Sequence, residues 1–258
     1  MSSPYKRVLL VGATSGIGAE LADKFIQEGS KVIAVGRRQD RLDAFVKKHG
    51  AELASGVRYD INDSAGLGDF VDGILKQYPD LDCVFLNSGT QSQTQLTKPA
   101  EVDLDAFHQE VSINFTKPVD LSIKFFPHLQ RKSSKTALIF TGTLLAHVPG
   151  VTMPAYSASK AALTAYVDCL RRQNAGSSTK FIEVWPPVVQ TELHDYMGEI
   201  SKSFGMPVTE FVEKLWPQLV DGVENIIIEP FEPQEAFLES VKRRAELFEL
   251  MAEKMLTH

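Results

Sequence analysis

Seven short β-branched runs alternate along the chain with segments of helical length, and this alternation narrows the possible folds more than any other feature. The runs are Val8–Val11, Lys31–Val35, Gly56–Tyr59, Asp82–Leu86, Thr136–Phe140, Phe181–Trp185 and Asn225–Ile228. Several are almost wholly apolar, as strands are when helices cover both faces of a parallel sheet. Between them, Ile17–Gln27, Arg41–Lys48, Leu67–Gln77, Leu104–Phe126 and Ala155–Arg171 carry helical patterns; in the first, Ile17, Leu21 and Phe25 share a face with charges opposite. The expected fold is α/β: a doubly wound, mostly parallel sheet of about seven strands with helices on both faces. No Gly-, Ser- or Pro-rich linker and no repeat interrupts the pattern, so residues 1–258 read as one domain. A helical extension closes it at 233–256, where Phe237, Val241, Phe248, Met251 and Met255 fall on one face. That face either closes the core or meets another subunit.

The first strand runs directly into Gly12-Ala13-Thr14-Ser15-Gly16-Ile17-Gly18, and a helix follows. Glycines permit a tight turn and a close backbone approach to a pyrophosphate, while the helix start offers unpaired N–H groups and partial positive charge. In this position the turn points to a Rossmann-type dinucleotide site, with Gly12, Thr14, Ser15, Gly16, Ile17 and Gly18 around the phosphates. No Gly-Lys-Ser/Thr follows, so it is not a P-loop. The second strand ends in Gly36-Arg37-Arg38, where such folds commonly place an acid on the ribose 2′-hydroxyl. Guanidiniums would instead pair with a 2′-phosphate, so NADP(H) is expected over NAD(H). Asp60 and Ile61, after the third strand, are candidates for the adenine edge, and Asp60 is equally suited to cap the next helix.

Tyr156-Ser157-Ala158-Ser159-Lys160 opens a helical segment, and Tyr156 alone among the tyrosines has a lysine four residues on. At that spacing phenol and ammonium share a helix face. A free phenol has a pKa near 10, and a neighbouring cation would bring it toward the range useful for proton transfer.

In their order along residues 7–193, the glycine turn, Asp60, Leu86-Asn87-Ser88-Gly89, Asn114, Tyr156/Lys160 and Pro186…Thr191 together resemble the short-chain dehydrogenase/reductase family, in its single-domain branch of about 250 residues. The segment Glu183–Val189 resembles an uncharacterised fungal and bacterial oxidoreductase subgroup. The resemblance implies Tyr156 as proton donor or acceptor, and Lys160 on the nicotinamide ribose and lowering the tyrosine pKa. It also implies Asn114 holding a water in a proton relay, Asn87, Ser88 and Gly89 beside the cofactor, and Pro186, Val189 and Thr191 along the nicotinamide. Three positions depart from the family pattern. Thr143 stands where serine is usual and keeps the hydroxyl with an added methyl. Ser88 replaces an alanine, and Pro187 replaces a glycine and stiffens its loop. The implied reaction is NADP(H)-dependent reduction of a hydrophobic ketone or aldehyde. Its competitor is a non-catalytic NADP(H)-binding sensor or scaffold of the same fold.

The substrate is expected at the C-terminal ends of the strands, against Leu144, Leu145, His147, Met153, Trp185, His194, Tyr196, Met197 and Phe204. The stretch from Leu193 to Met206 is long enough for a lid. Lysine plus arginine number 27 against 33 acidic residues, a net charge of −6, which argues against nucleic acid or an anionic membrane as partner. No metal-ligand spacing occurs. Cys83 and Cys169, far apart and in apolar surroundings, indicate no disulfide framework and a reducing, cytoplasmic setting. The resemblance implies a homodimer or homotetramer acting on a small molecule.

Overall fold

The computed structural model describes residues 1–202 and 205–256, without the side chains of residues 197, 199–202 and 256. Seven strands form one sheet: β1 (Arg7–Val11), β2 (Lys31–Gly36), β3 (Ala54–Arg58), β4 (Cys83–Leu86), β5 (Thr136–Thr141), β6 (Thr179–Trp185) and β7 (Asn225–Ile227). Their order is β3-β2-β1-β4-β5-β6-β7, and every pairing is parallel. Leu9 stands between Ile33 of β2 and Val84 of β4 in register.

Strand alternation divides the core into two layers. Val8 and Leu10 face one side with Leu21 and Phe25 of α1 (Gly16–Gln27) and Leu42 of α2 (Gln39–His49). Leu9 and Val11 face the other, with Val71 of α3 (Leu67–Gln77), Phe125 of α5 (Lys117–Gln130) and Leu163 of α6 (Pro154–Gln173). This is the expected doubly wound architecture. Each fully buried leucine or phenylalanine contributes roughly 1.5–3 kcal/mol.

Three segments differ from the sequence expectation. The single helix expected over 104–126 is α4 (Leu104–Val111), a π turn (Ser112–Thr116) and α5. Pro118, in the first turn of α5, has no N–H to continue a regular ladder through the junction. A further helix, α7 (Val208–Asp221), buries Phe211, Val212, Leu215, Trp216 and Leu219 under the first layer. In α8 (Gln234–Leu256), Phe237 is buried on Leu144 and Trp185, but Met251 and Met255 are exposed. The apolar stripe is therefore buried most deeply at its beginning, half-buried at Val241 and Phe248, and exposed at its two methionines. Cys83 is buried as expected, whereas Cys169 is exposed. Among the described residues no helix is long and apolar enough to cross a membrane.

Candidate active site

Strand order reverses between β1 and β4, so the loops leaving their C-terminal ends part and open a cleft. Its volume is about 1440 Å³, and the loops after β1, β2, β4, β5 and β6 line it.

The glycine turn forms one wall. Gly12 has φ +89°, and a Cβ there would stand 2.8 Å from the Ser88 backbone nitrogen. Glycine satisfies both demands without strain. Ser15 caps α1 without a side-chain hydrogen bond to the helix, so the first N–H groups of α1 keep no side-chain acceptor. That arrangement suits an anion. Behind the turn runs a hydrogen-bonded chain across three strands. Asn87 Nδ2 donates to Gly12 O at 3.1 Å, Thr141 Oγ1 donates to Asn87 Oδ1 at 2.9 Å, and Lys160 Nζ donates to Thr141 O at 2.7 Å. The phosphate turn and the lysine thus share one rigid support, in which Thr141 is a member the sequence reading did not assign.

At the end of β2, Arg38 folds onto the turn. Its Nη2 donates to Thr14 Oγ1 at 3.0 Å and to Ser15 Oγ at 2.6 Å, and Nη1 to Glu192 Oε2 at 2.6 Å. Arg41, which the sequence reading omitted, donates to Thr14 O at 2.9 Å and to Glu192 Oε1 at 2.6 Å. Burial opposes ionisation of Glu192, but the two guanidiniums outweigh it and hold the carboxyl below its ordinary range. Arg37 is exposed at the cleft margin. Asp60, also exposed, accepts the Asn62 N–H at 3.0 Å and stabilises its own turn.

Pro154 begins α6 and sets Tyr156 in the first turn with Lys160 one turn later. Both line the cleft, and Lys160 Nζ lies 5.9 Å from the phenol ring centre. Burial pushes the Tyr156 phenol up to about 12, although the Thr143 hydroxyl beside it acts in the opposite direction. Burial brings Lys160 down to about 8, and the Glu183 carboxylate counters it. The acidified phenol expected from the sequence is therefore not produced by the chain alone. Burial disfavours the lysine's charged form, and one of its three N–H donors is committed to Thr141 O.

Asn114 is fully buried in the π turn, where its Oδ1 accepts from Thr90 N at 2.9 Å and its Nδ2 donates to Thr90 O at 2.8 Å. This pairing anchors the Gly89–Thr90 turn. A Cβ at Gly89 would stand 3.3 Å from Asn114 Oδ1 and 3.8 Å from Lys160 Nζ. A side chain there would fill the cleft floor beside the lysine.

The other expected residues divide clearly. Thr14, Ser15, Gly16, Ile17, Ile61, Asn87, Ser88, Pro186, Val189 and Thr191 line the cleft, whereas Gly18 packs behind the wall. Leu144, Leu145, Met153, His194 and Tyr196 also line it. His147 and Trp185 do not: His147 Nε2 pairs with Ser240 Oγ of α8 at 2.7 Å, and Trp185 is buried against Phe237. Both fasten α8 to the turn at Leu144–Ala146. His194 Nδ1 pairs with Val189 O at 3.0 Å, and burial lowers its pKa, so it is a neutral structural histidine. Tyr196 donates to Gln91 Oε1 at 2.8 Å and lies 3.7 Å from Met153 Sδ, which folds its segment across the cleft. The Phe204 residue and the Met197 side chain lie outside the described residues. Glu110, Ser92 and Gln91 line the cleft without having been expected. Glu110 precedes Asn114 by one helical turn, a spacing that marks a shared face.

A doubly wound sheet whose switch-point cleft holds a glycine turn, a buried lysine and a phenol is the framework of a Rossmann-type oxidoreductase. The short chain dehydrogenase family model matches residues 6–200, and the chain belongs to that family. "Uncharacterized oxidoreductase DltE" of Bacillus subtilis (strain 168) is 33% identical over 236 residues, 90% of this chain and 91% of that protein. A short-chain dehydrogenase from Sphingobium yanoikuyae in complex with NADPH superposes with a TM-score of 0.81 at 21% identity, covering 94% of this chain and 95% of that one. A short-chain dehydrogenase/reductase from Burkholderia phymatum in complex with NAD gives 0.79 at 20% identity, covering 96% and 95%.

Proposed function

We propose that this oxidoreductase interconverts a carbonyl compound and its alcohol with NADP(H), Tyr156 acting as acid and base. One observation carries the reading: the Tyr156 phenol, the Thr143 hydroxyl and the Lys160 ammonium open on the same cleft as the glycine turn. When bound, NADP(H) supplies the hydride for reduction and takes it up in oxidation. The chain's residues fit that group. The Gly12–Ile17 turn offers backbone N–H groups to a pyrophosphate, and Gly89 leaves the floor beside Lys160 open. Arg38 and Arg41 stand beside Ser15, where a 2′-phosphate would exchange for Glu192.

The remaining work falls to side chains. Thr143 and Tyr156 donate hydrogen bonds to the carbonyl oxygen as negative charge grows on it. As the carbon receives its hydride, Tyr156 gives its proton to that oxygen, so a C–H and an O–H bond form while the carbonyl π bond is lost. Lys160, one turn away, stabilises the phenolate left behind, and Asn114 keeps the Gly89–Thr90 turn clear of it. Leu144, Leu145 and Met153 favour a substrate with an apolar body.

The test is a panel of aryl and alkyl ketones with NADPH and with NADH, followed by nicotinamide absorbance. Turnover with NADPH favoured is expected. Tight NADPH binding without turnover on any ketone would favour the sensor reading instead.

A further inference from the structure

Helix α6 presents Tyr156 and Lys160, one turn apart, to the cleft, and α4 presents Glu110, four residues before Asn114 of the π turn. Asn114 lies beside Lys160 at the position of Gly89. Glu110 pairs with Ser92, the chain neighbour of Gln91, and Gln91 holds Tyr196 of the segment that crosses the cleft. Glu110 is therefore on the substrate side of the reacting phenol.

Its bonding is incomplete. Glu110 is 2% exposed, yet it lines the cleft. Its Oε2 accepts from the Ser92 hydroxyl, while Oε1 is buried with no hydrogen-bond partner. No lysine, arginine or histidine among the described residues pairs with it, and burial raises its pKa. A buried carboxylate with a free oxygen is costly unless a donor completes it. The Tyr196 hydroxyl is committed to Gln91.

We propose that Glu110 is a substrate-recognition residue that receives a protonated amine, so that the natural substrate is an amino carbonyl compound or the matching amino alcohol. The proposal rests on the carbonyl–alcohol reading above and adds to it the class of substrate. An ammonium supplies the donor that Oε1 lacks and neutralises the carboxylate beside the phenol.

The test uses three alcohols of one size: phenylethanolamine, phenylethylene glycol and α-ethylbenzyl alcohol, which carry an ammonium, a hydroxyl and a methyl at the same place. Affinities are measured by calorimetric titration into the full chain, alone and saturated with NADP+. Wild type is expected to bind the amine roughly tenfold more tightly than the methyl compound, with the glycol between, as a charge-assisted hydrogen bond allows. In Glu110→Gln the ratio of amine to methyl affinity should fall close to one, while the melting temperature stays at or above that of wild type. No amine binding, equal affinities in wild type, or a preference that survives Glu110→Gln would overturn the proposal. Oxidation of α-ethylbenzyl alcohol is followed separately. A silent assay with the amine preference intact would sink the carbonyl reading and leave the recognition role of Glu110 standing.

Discussion

The two halves of the cleft are built differently. On the cofactor side, polar groups already have protein partners: Asn87 with Gly12, Thr141 with Asn87, Lys160 with Thr141, Arg38 with Thr14 and Ser15. On the substrate side, Glu110 Oε1 has none among the described residues, Tyr196 is 43% exposed, and Tyr196 reaches across to Gln91 and Met153. The first half is prebuilt for a ligand that many proteins share. The second is completed by the molecule it selects. Order and chemical incompleteness thus mark, respectively, the common and the particular parts of one site.

Lys160→Met gives the largest expected effect on the ordered half. Turnover should fall roughly hundredfold or more, because the phenolate loses its cation. Stability should move the other way. A lysine lowered from 10.5 to about 8 costs the fold roughly 3 kcal/mol at neutral pH. Losing the donor to Thr141 O returns about 1 kcal/mol of this, so denaturant titration should show a net gain of about 2 kcal/mol. The sign of the pH dependence follows. Between about 8 and 10.5 the unfolded chain holds a proton that the folded chain has released, so wild-type stability from this group rises with pH. The variant's advantage should be fully present below about 8 and give way above 10.5 to a deficit of about 1 kcal/mol from the lost hydrogen bond. An advantage independent of pH would mean that Lys160 carries no charge penalty, and that the ordered half is not strained for function.

Arg37→Ala combined with Arg38→Ala should raise the KM for NADPH roughly tenfold to hundredfold and leave that for NADH within a few-fold. Equal changes would move recognition of the 2′-phosphate elsewhere. A smaller effect is expected at the seam between the halves. Glu192→Gln frees Arg38 and Arg41 from their carboxylate and should lower the KM for NADPH by roughly two- to fivefold. An unchanged KM would show that the Glu192 contact does not compete with the cofactor.

The ordered half was also the legible half. Apolar runs with a glycine turn after the first state where a nucleotide fold places its phosphates, and Asn87 and Lys160, which the family resemblance sets beside it, share its hydrogen-bonded support. The substrate half depends on contacts between distant segments, which no local pattern encodes. His147 and Trp185 look like lining residues beside their strand ends, but α8, arriving from the chain's end, covers them. Arg41 and Glu192 meet across 151 residues of sequence. Helix α7 was obscured by Pro217 and by β-branched residues, although Phe211, Val212, Leu215, Trp216 and Leu219 follow helical spacing. The spacing of Tyr156 and Lys160 reveals their shared face but not their burial, and in the chain without cofactor burial dominates both.

Replacing Tyr156 by phenylalanine removes one oxygen and tests the assignment most directly. With NADPH and a ketone that the wild type reduces, the account predicts that turnover drops by at least roughly three orders of magnitude while NADPH affinity changes less than about twofold. Turnover within tenfold of wild type would show that the proton comes from another group, and the chemistry assigned to the cleft would be wrong.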